Sequence, residues 1–242
     1  MNITERMGVI SLFPKALLPG DIIGIVAPAS PCETEKIERA CQVLTEWGYQ
    51  VVLGDSVFQE YGYLSGDDQT RLADLHRMFA DDSIKAIFSL RGGYGSPRLI
   101  GRVDYALIQD HPKIFVGYSD ITALLLAIYQ RTGLVTFHGP MIFELGGKWD
   151  PSSWLNLFSL LTQPGFSPEY TPCDAFYPIM EGIAEGTLVG GNLCLFTSLL
   201  GTPYEVDTRD KILFLEEVNE APYRIDRMLT QLLWSGKLEV TK

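Results

Sequence analysis

The sequence predicts an α/β fold in which a parallel sheet is flanked by helices. In the N-terminal part, short apolar runs alternate with segments whose apolar residues recur at helical spacing. Parallel neighbours need crossover connections, and this alternation supplies them. Glycine, proline or serine follows several of the apolar runs, as is typical of loops at the carboxyl ends of strands. Ligands in such sheets bind beyond these strand ends, so a site is expected there.

The N-terminal domain is expected to span residues 1–162, to carry the functional site and to be flavodoxin- or Rossmann-like. Its lead-in, residues 1–19, is weakly patterned and is expected to pack loosely. The expected strands are 21–26, 49–53, 86–90, 114–116 and 135–138, and the expected helices are 33–47, 68–79, 105–109, 120–130 and 154–161.

A second, smaller α/β domain is expected at residues 185–242. It follows a linker, residues 163–184, that is rich in proline, glycine and aromatic residues and has no clear periodicity. The expected elements of this domain are a helix at 193–200, a strand at 212–215, a helix from about 221 to 236 and the start of a strand at 238–240. A domain of this size that ends on an unfinished strand would have a thin core.

Composition and charge exclude several classes of function. The net charge is −11, and no cluster of lysine and arginine is available to bind nucleic acid. An acidic surface also disfavours anionic membranes, and no apolar run is long enough to span a bilayer. We therefore expect a cytoplasmic protein. The cysteines and histidines are scattered and form no metal-binding spacing, so neither a metal nor a cofactor is expected.

Ser119 lies where an apolar strand runs through Gly117 into a helix. The ordinary interpretation is an N-cap, because a serine before a helix accepts a backbone hydrogen bond. The alternative is a nucleophile, with the N–H of Asp120 directed at a developing oxyanion. The Gly-x-Ser-x-Gly pattern of α/β-hydrolases is absent, because Ile121 occupies the position of its second glycine.

The densest glycine cluster, residues 91–95, also follows a predicted strand. It is either a structural turn or a loop whose bare N–H groups approach a ligand. Phosphate-loop and dinucleotide fingerprints are not matched, which favours an oxyanion over a nucleotide. Glu216 and Glu217 end a later strand, where one of them could orient a histidine, and Glu220 is a weaker candidate. His138 is the histidine at a predicted strand end and a candidate base.

Several motifs together resemble the L,D-carboxypeptidase family, serine peptidase family S66. This family includes muramoyltetrapeptide carboxypeptidases and microcin C self-immunity proteins. The motifs occur in family order and cover nearly the whole chain from Leu18 onward. They are Leu-Pro-Gly-Asp at 18–21, Arg-Gly-Gly-Tyr-Gly at 91–95, Gly-Tyr-Ser-Asp-Ile-Thr at 117–122, His-Gly-Pro-Met at 138–141, Phe-Leu-Glu-Glu at 214–217 and Pro-Tyr-Arg-Ile-Asp-Arg at 222–227.

The resemblance implies a serine hydrolase with a Ser-Glu-His triad and no metal or cofactor. Ser119 matches the nucleophile and Glu216 the triad carboxylate. The N–H groups of Asp120 and of Gly92 or Gly93 match the oxyanion hole. The family's histidine lies in a Gly-His motif downstream of residues 222–227, and this sequence has no counterpart. The resemblance therefore implies that the second domain is truncated in this sequence. We expect little peptidase activity from the chain as given, since a serine without a base is a weak nucleophile.

The resemblance further implies a murein peptide substrate, from which terminal D-alanine is released during peptidoglycan recycling, and a homodimer. Two alternatives stay open from the sequence. One is the sister activity, amide hydrolysis of microcin C-type peptidyl or aminoacyl nucleotides. The other is a non-catalytic protein that keeps only the peptide-binding cleft.

Overall fold

A computed structural model describes residues 10–148, 150–167 and 177–242. Its larger sheet has five parallel strands in the order β2-β1-β3-β4-β5. The strands are β1 (Ile22–Val26), β2 (Gln50–Leu53), β3 (Ile84–Ser89), β4 (Ile114–Gly117) and β5 (Phe137–His138). The strand order reverses direction between β1 and β3, and in open α/β sheets a ligand crevice forms at such a switch point. The predicted fold class is confirmed.

Helices cover both faces of this sheet because β1, β3 and β4 are buried on both sides. The helices are α1 (Thr34–Glu46), α2 (Asp68–Ala80), α3 (Tyr105–Asp110), α4 (Thr122–Thr132), α5 (Ile142–Leu145) and α6 (Pro151–Thr162). On one face α1, α5 and α6 pack against Ile23, Phe88 and Val116. On the other face α2, α3 and α4 pack against Val26, Ile87 and Phe115.

The C-terminal part contains a two-stranded parallel sheet of β6 (Leu188–Asn192) and β7 (Ile212–Glu216), with α7 (Leu193–Ser198) and α8 (Pro222–Trp234). Strand β6 lies against the first turn of α4. The N–H of Asn192 donates to Thr122 Oγ1 at 3.1 Å, and a Cβ at Gly191 would lie 2.8 Å from Thr122 Cγ2. This close approach brings the end of β7 to the carboxyl ends of β3 and β4.

Several local predictions need correction. Residues 238–240 form a turn instead of a strand, although Val240 O accepts a hydrogen bond from Asp210 N at 2.9 Å. Strand β5 is shorter than predicted, and neither α5 nor strand β6 was predicted. The described part of the lead-in is packed, because Leu17 is fully buried and Leu12 pairs with Leu134. The middle of the linker, 168–176, lies outside the described residues, and the domain boundaries stay a prediction.

Candidate active site

Ser119 lies at the carboxyl end of β4, on a turn that leads into α4. Its φ angle of 57° is in the left-handed region, which costs a non-glycine residue about 1–3 kcal/mol. A Cβ at Gly117 would come within 2.6 Å of Ile121 Cγ2, so only glycine allows this turn to close so tightly. Tyr118, not Ser119, occupies the N-cap position of the turn. The N-cap interpretation of Ser119 is therefore wrong, and its side chain reaches the cavity beyond the strand ends.

The glycine loop after β3 lies directly against this serine. A Cβ at Gly92 would lie 2.9 Å from Ser119 Oγ and 3.5 Å from Asp120 N. Gly93 has a φ of 111° and packs against Ser30, so a side chain is excluded there too. The first N–H groups of a helical turn have no intrahelical acceptor, which leaves Asp120 N–H near this loop as a donor. The predicted oxyanion residues Gly92, Gly93 and Asp120 thus surround Ser119.

The side chain of Asp120 ties the serine turn to the glycine loop. Asp120 is 1% exposed, and its Oδ2 accepts a hydrogen bond from Ser96 N at 2.8 Å. The Ser96 hydroxyl in turn donates to Asp120 O. Burial raises the pKa of the Asp120 carboxyl, partly offset by the Ser96 hydrogen bonds. This carboxylate therefore holds together the two segments that surround the serine hydroxyl.

We expect Asp120→Ala to lower the free energy of unfolding by roughly 1–3 kcal/mol, because it leaves the buried Ser96 N–H without an acceptor. Asp120→Asn keeps an acceptor oxygen and the backbone N–H, so it should retain most of that stability. Urea unfolding of the two variants measures the difference. Equal losses for both variants would show that the Asp120–Ser96 contact does not stabilise the loop.

Glu216 ends β7 and lines the same cavity as Ser119. Its Oε1 is buried and has no hydrogen-bond partner in the described residues, and burial raises its pKa. The carboxylate of Glu217, in contrast, accepts hydrogen bonds from Asn192 Nδ2, Cys194 N and Val218 N. Glu220 pairs with Arg224 at 3.2 Å. Of the three acids, Glu216 is therefore the one with a free oxygen facing this cavity.

His138 lies next to Glu216, with 4.0 Å between Nε2 and Oε1. Its ring is enclosed edge-on by Tyr118 and Phe214, and burial lowers its pKa, which favours the neutral imidazole. It lines two neighbouring cavities, whereas Ser119 lines another. The structure thus brings His138 to the acid.

The cavity around Ser119 has a volume of about 230 Å³. Several of its residues were not predicted from the sequence. Asn192 and Phe143 could not be found by motif, because they arrive from β6 and from the unpredicted α5. The lining residues are Arg91, Gly92, Gly93, Tyr118, Ser119, Met141, Phe143, Asn192, Glu216, Glu217 and Val218. Within the described ranges, no cluster of three or more histidine, cysteine or acidic side chains could hold a metal ion.

Comparison with known proteins shows the family of this chain. Residues 23–139 match the LD-carboxypeptidase N-terminal domain, and residues 185–242 match the LD-carboxypeptidase C-terminal domain. A Bacillus subtilis protein named a probable murein peptide carboxypeptidase is 51% identical over 93% of this chain and 71% of its own length. A murein tetrapeptide carboxypeptidase of Pseudomonas aeruginosa is 34% identical over 88% of this chain and 71% of its own length.

Solved structures of the same family superpose on this chain. An MccF-like protein from Bacillus anthracis is 32% identical, with a TM-score of 0.88 over 96% of this chain and 79% of that one. A muramoyltetrapeptide carboxypeptidase from Oxalobacter formigenes is 33% identical, with a TM-score of 0.81 over 91% of this chain and 74% of that one. The fold and the family define a serine-type carboxypeptidase. The chain belongs to the LD-carboxypeptidase family, as the motifs predicted.

Proposed function

We propose that this protein is an L,D-carboxypeptidase that releases the terminal D-alanine of murein tetrapeptides in peptidoglycan recycling. Two features support the reaction type: Ser119 is held at positive φ, and an added Cβ at Gly92 would lie 2.9 Å from its hydroxyl oxygen. The names of the relatives from Bacillus subtilis and Pseudomonas aeruginosa support the substrate class.

In this proposal Ser119 Oγ attacks the carbonyl carbon of the scissile bond and forms an acyl-enzyme. The N–H groups of Asp120 and of Gly92 or Gly93 stabilise the negative oxygen of the tetrahedral intermediate. A triad histidine, for which the motifs identify no residue in this sequence, takes the serine proton and passes it to the leaving amine, and Glu216 orients it. Water then attacks the acyl-enzyme carbonyl and gives a proton to the same histidine, which returns it to Ser119 Oγ as the shortened peptide leaves. Glu216 Oε1 is buried and accepts no hydrogen bond from the described residues, so it is suited to accept the N–H of that histidine.

A second candidate function is amide hydrolysis of aminoacyl nucleotides. It is supported by the high TM-score to the Bacillus anthracis MccF-like protein. A microcin C7 self-immunity protein solved in complex with aspartyl sulfamoyl adenosine also superposes, with a TM-score of 0.83 and 25% identity. The third alternative, a protein that binds peptide without cleaving it, would bind tetrapeptide and leave Ser119 unacylated.

One incubation experiment separates these functions. The protein, in excess over substrate, is mixed with murein tetrapeptide or with an aminoacyl-sulfamoyl adenosine, and the products are followed by mass spectrometry. We expect D-alanine from the tetrapeptide and no cleavage of the nucleotide analogue. Cleavage of the analogue alone would contradict the carboxypeptidase proposal and favour the amidase.

A cytoplasmic location and a homodimer also belong to the proposal. In the described ranges, no helix has the length and apolar character needed to cross a membrane. Cell fractionation tests the location, and sedimentation of the purified protein tests the dimer. Recovery outside the cytoplasm, or a monomer at micromolar concentration, would contradict these two points separately.

A further inference from the structure

Arg91 is the cationic residue that lines the cavity of Ser119. It directly precedes Gly92, where an added Cβ would lie 2.9 Å from the serine hydroxyl oxygen. The guanidinium lies 5.6 Å from the ring centroid of Phe143, and one Nη donates to Pro31 O at 3.2 Å. Its Nε is buried and has no hydrogen-bond partner among the described residues. The contacts with Phe143 and Pro31 fix the position of the guanidinium, and its Nε–H can still donate to a further acceptor.

Two carboxylates around this cavity, those of Glu144 and Glu217, already accept hydrogen bonds from other groups. Glu144 accepts hydrogen bonds from Tyr118 Oη and Met141 N at 2.8 Å each. Glu217 is engaged by Asn192 and backbone N–H groups. In the part of the chain that the structure describes, Arg91 forms no ion pair with any acidic side chain. Arg91 therefore has no ion-pair partner among the described residues, although the carboxylates of Glu216 and Glu217 line the same cavity.

The substrate of a carboxypeptidase carries the missing anion. Its terminal carboxylate lies one residue beyond the scissile carbonyl carbon, a separation on the order of 4 Å in an extended peptide. Arg91 directly precedes Gly92, so their Cα atoms are about 3.8 Å apart. This spacing is similar to that between the scissile carbonyl and the terminal carboxylate. Arginine is well suited to a planar carboxylate, since two parallel N–H groups can donate to its two oxygens.

We propose that Arg91 binds the terminal carboxylate of the departing amino acid and thereby restricts the site to the last peptide bond of its substrate. This inference rests on the proposed carboxypeptidase function. Lys148 lines the neighbouring cavity together with Asp150, so it is not an equivalent cation for this position. Arg91 is thus assigned a specificity role: it recognises the chain end, while Ser119 and the glycine loop act on the carbonyl.

Binding of two tetrapeptides tests this assignment without requiring turnover. The ligands are murein tetrapeptide with a free terminal carboxylate and the same peptide as its terminal amide. Titrations use the whole chain carrying Ser119→Ala, so that no substrate is consumed. We expect the free acid to bind more tightly than the amide. Arg91→Gln should weaken binding of the acid about 10- to 100-fold and leave the amide unchanged, because only the acid offers a charged acceptor.

The controls separate recognition from structure. Arg91→Lys keeps the charge but loses the paired donors, so it should recover part of the affinity for the acid. Arg39→Gln removes an exposed arginine of α1 and should change neither affinity. Equal weakening of acid and amide by Arg91→Gln, or no preference for the acid in the parent, would overturn the assignment. If the Ser119→Ala protein preferred the acid but the protein with Ser119 intact released no D-alanine from tetrapeptide, the proposed function alone would be overturned.

Discussion

A polypeptide of these 242 residues is expected to release D-alanine from murein tetrapeptide about 10⁴-fold more slowly than a version that supplies a triad histidine. The structure shows two groups that such a histidine would join. Ser119 Oγ lines the cavity, and Glu216 Oε1 is buried there without a partner in the described residues. Without a base, the hydroxyl proton has no acceptor when the serine attacks.

The comparison uses a fusion. The chain is extended by the residues of the Bacillus subtilis relative that follow the matched region, since this chain covers 71% of that protein. A typical turnover number is about 10 s⁻¹, so the unextended chain should still react at about 10⁻³ s⁻¹ under single-turnover conditions. Both rates can be measured by D-alanine release with protein in excess over substrate.

Ser119→Ala should remove the whole rate increase that the fusion gives. It should change the rate of the unextended chain little, because the effects of mutating residues that act as a unit are not additive. Ser159→Ala, on α6 and outside the cavity, is the matched control and should leave both rates unchanged. Fast turnover by the unextended chain that survives His138→Gln would contradict the expectation. If His138→Gln abolished such turnover, His138 would be the base.

Gly190→Ala is expected to destabilise the C-terminal part by at least about 3 kcal/mol. Gly190 has a φ of 137°, which an L-residue adopts only with strain, and a Cβ there would overlap the backbone carbonyl of Phe214. Gly190 and Phe214 are partners in the β6–β7 pair, two residues before Glu216 along β7. The substitution should therefore also displace Glu216 from the cavity of Ser119.

Urea unfolding measures the loss, and Gly182→Ala is the control, because a Cβ at Gly182 meets no atom within 4 Å. The control should unfold at nearly the parent midpoint. A Gly190→Ala protein as stable as the control would show that β6 and β7 separate at little cost. Retained tetrapeptide binding in an otherwise destabilised variant would show that Glu216 does not help to form the cleft.

The sequence predicted the elements well where the pattern is local. The alternation of apolar runs and helical spacing specifies β1 to β4 and their helices, because each buries a face set by its own periodicity. The short α5 was missed because its four residues are too few to show a helical period. Residues 238–240 were misassigned because an apolar pair in a short run does not reveal whether a neighbouring strand is available.

The candidate site was predicted in part, because some of its residues follow strands that local patterns identify. Ser119, Gly92 and Gly93 follow strands whose carboxyl ends must meet at one edge of a parallel sheet, so their proximity follows from the fold class. The isolated Gly-x-Ser pattern equally favoured an N-cap. The positive φ of Ser119 decides against that interpretation, and φ depends on how tightly Gly117 lets the turn close.

By itself, the sequence determined the fold class, the family and the strand ends at which a site would form, since these depend on periodicity and on motifs that are local in the chain. The tertiary structure decided which groups in that site are free. Among the residues that the structure describes, Glu216 Oε1 and Arg91 Nε are buried without a hydrogen-bond partner, whereas the carboxylates of Glu217 and Glu144 accept hydrogen bonds. That difference arises from the packing of β6 against α4 and of α5 against the end of β3, contacts between distant segments that no local pattern records.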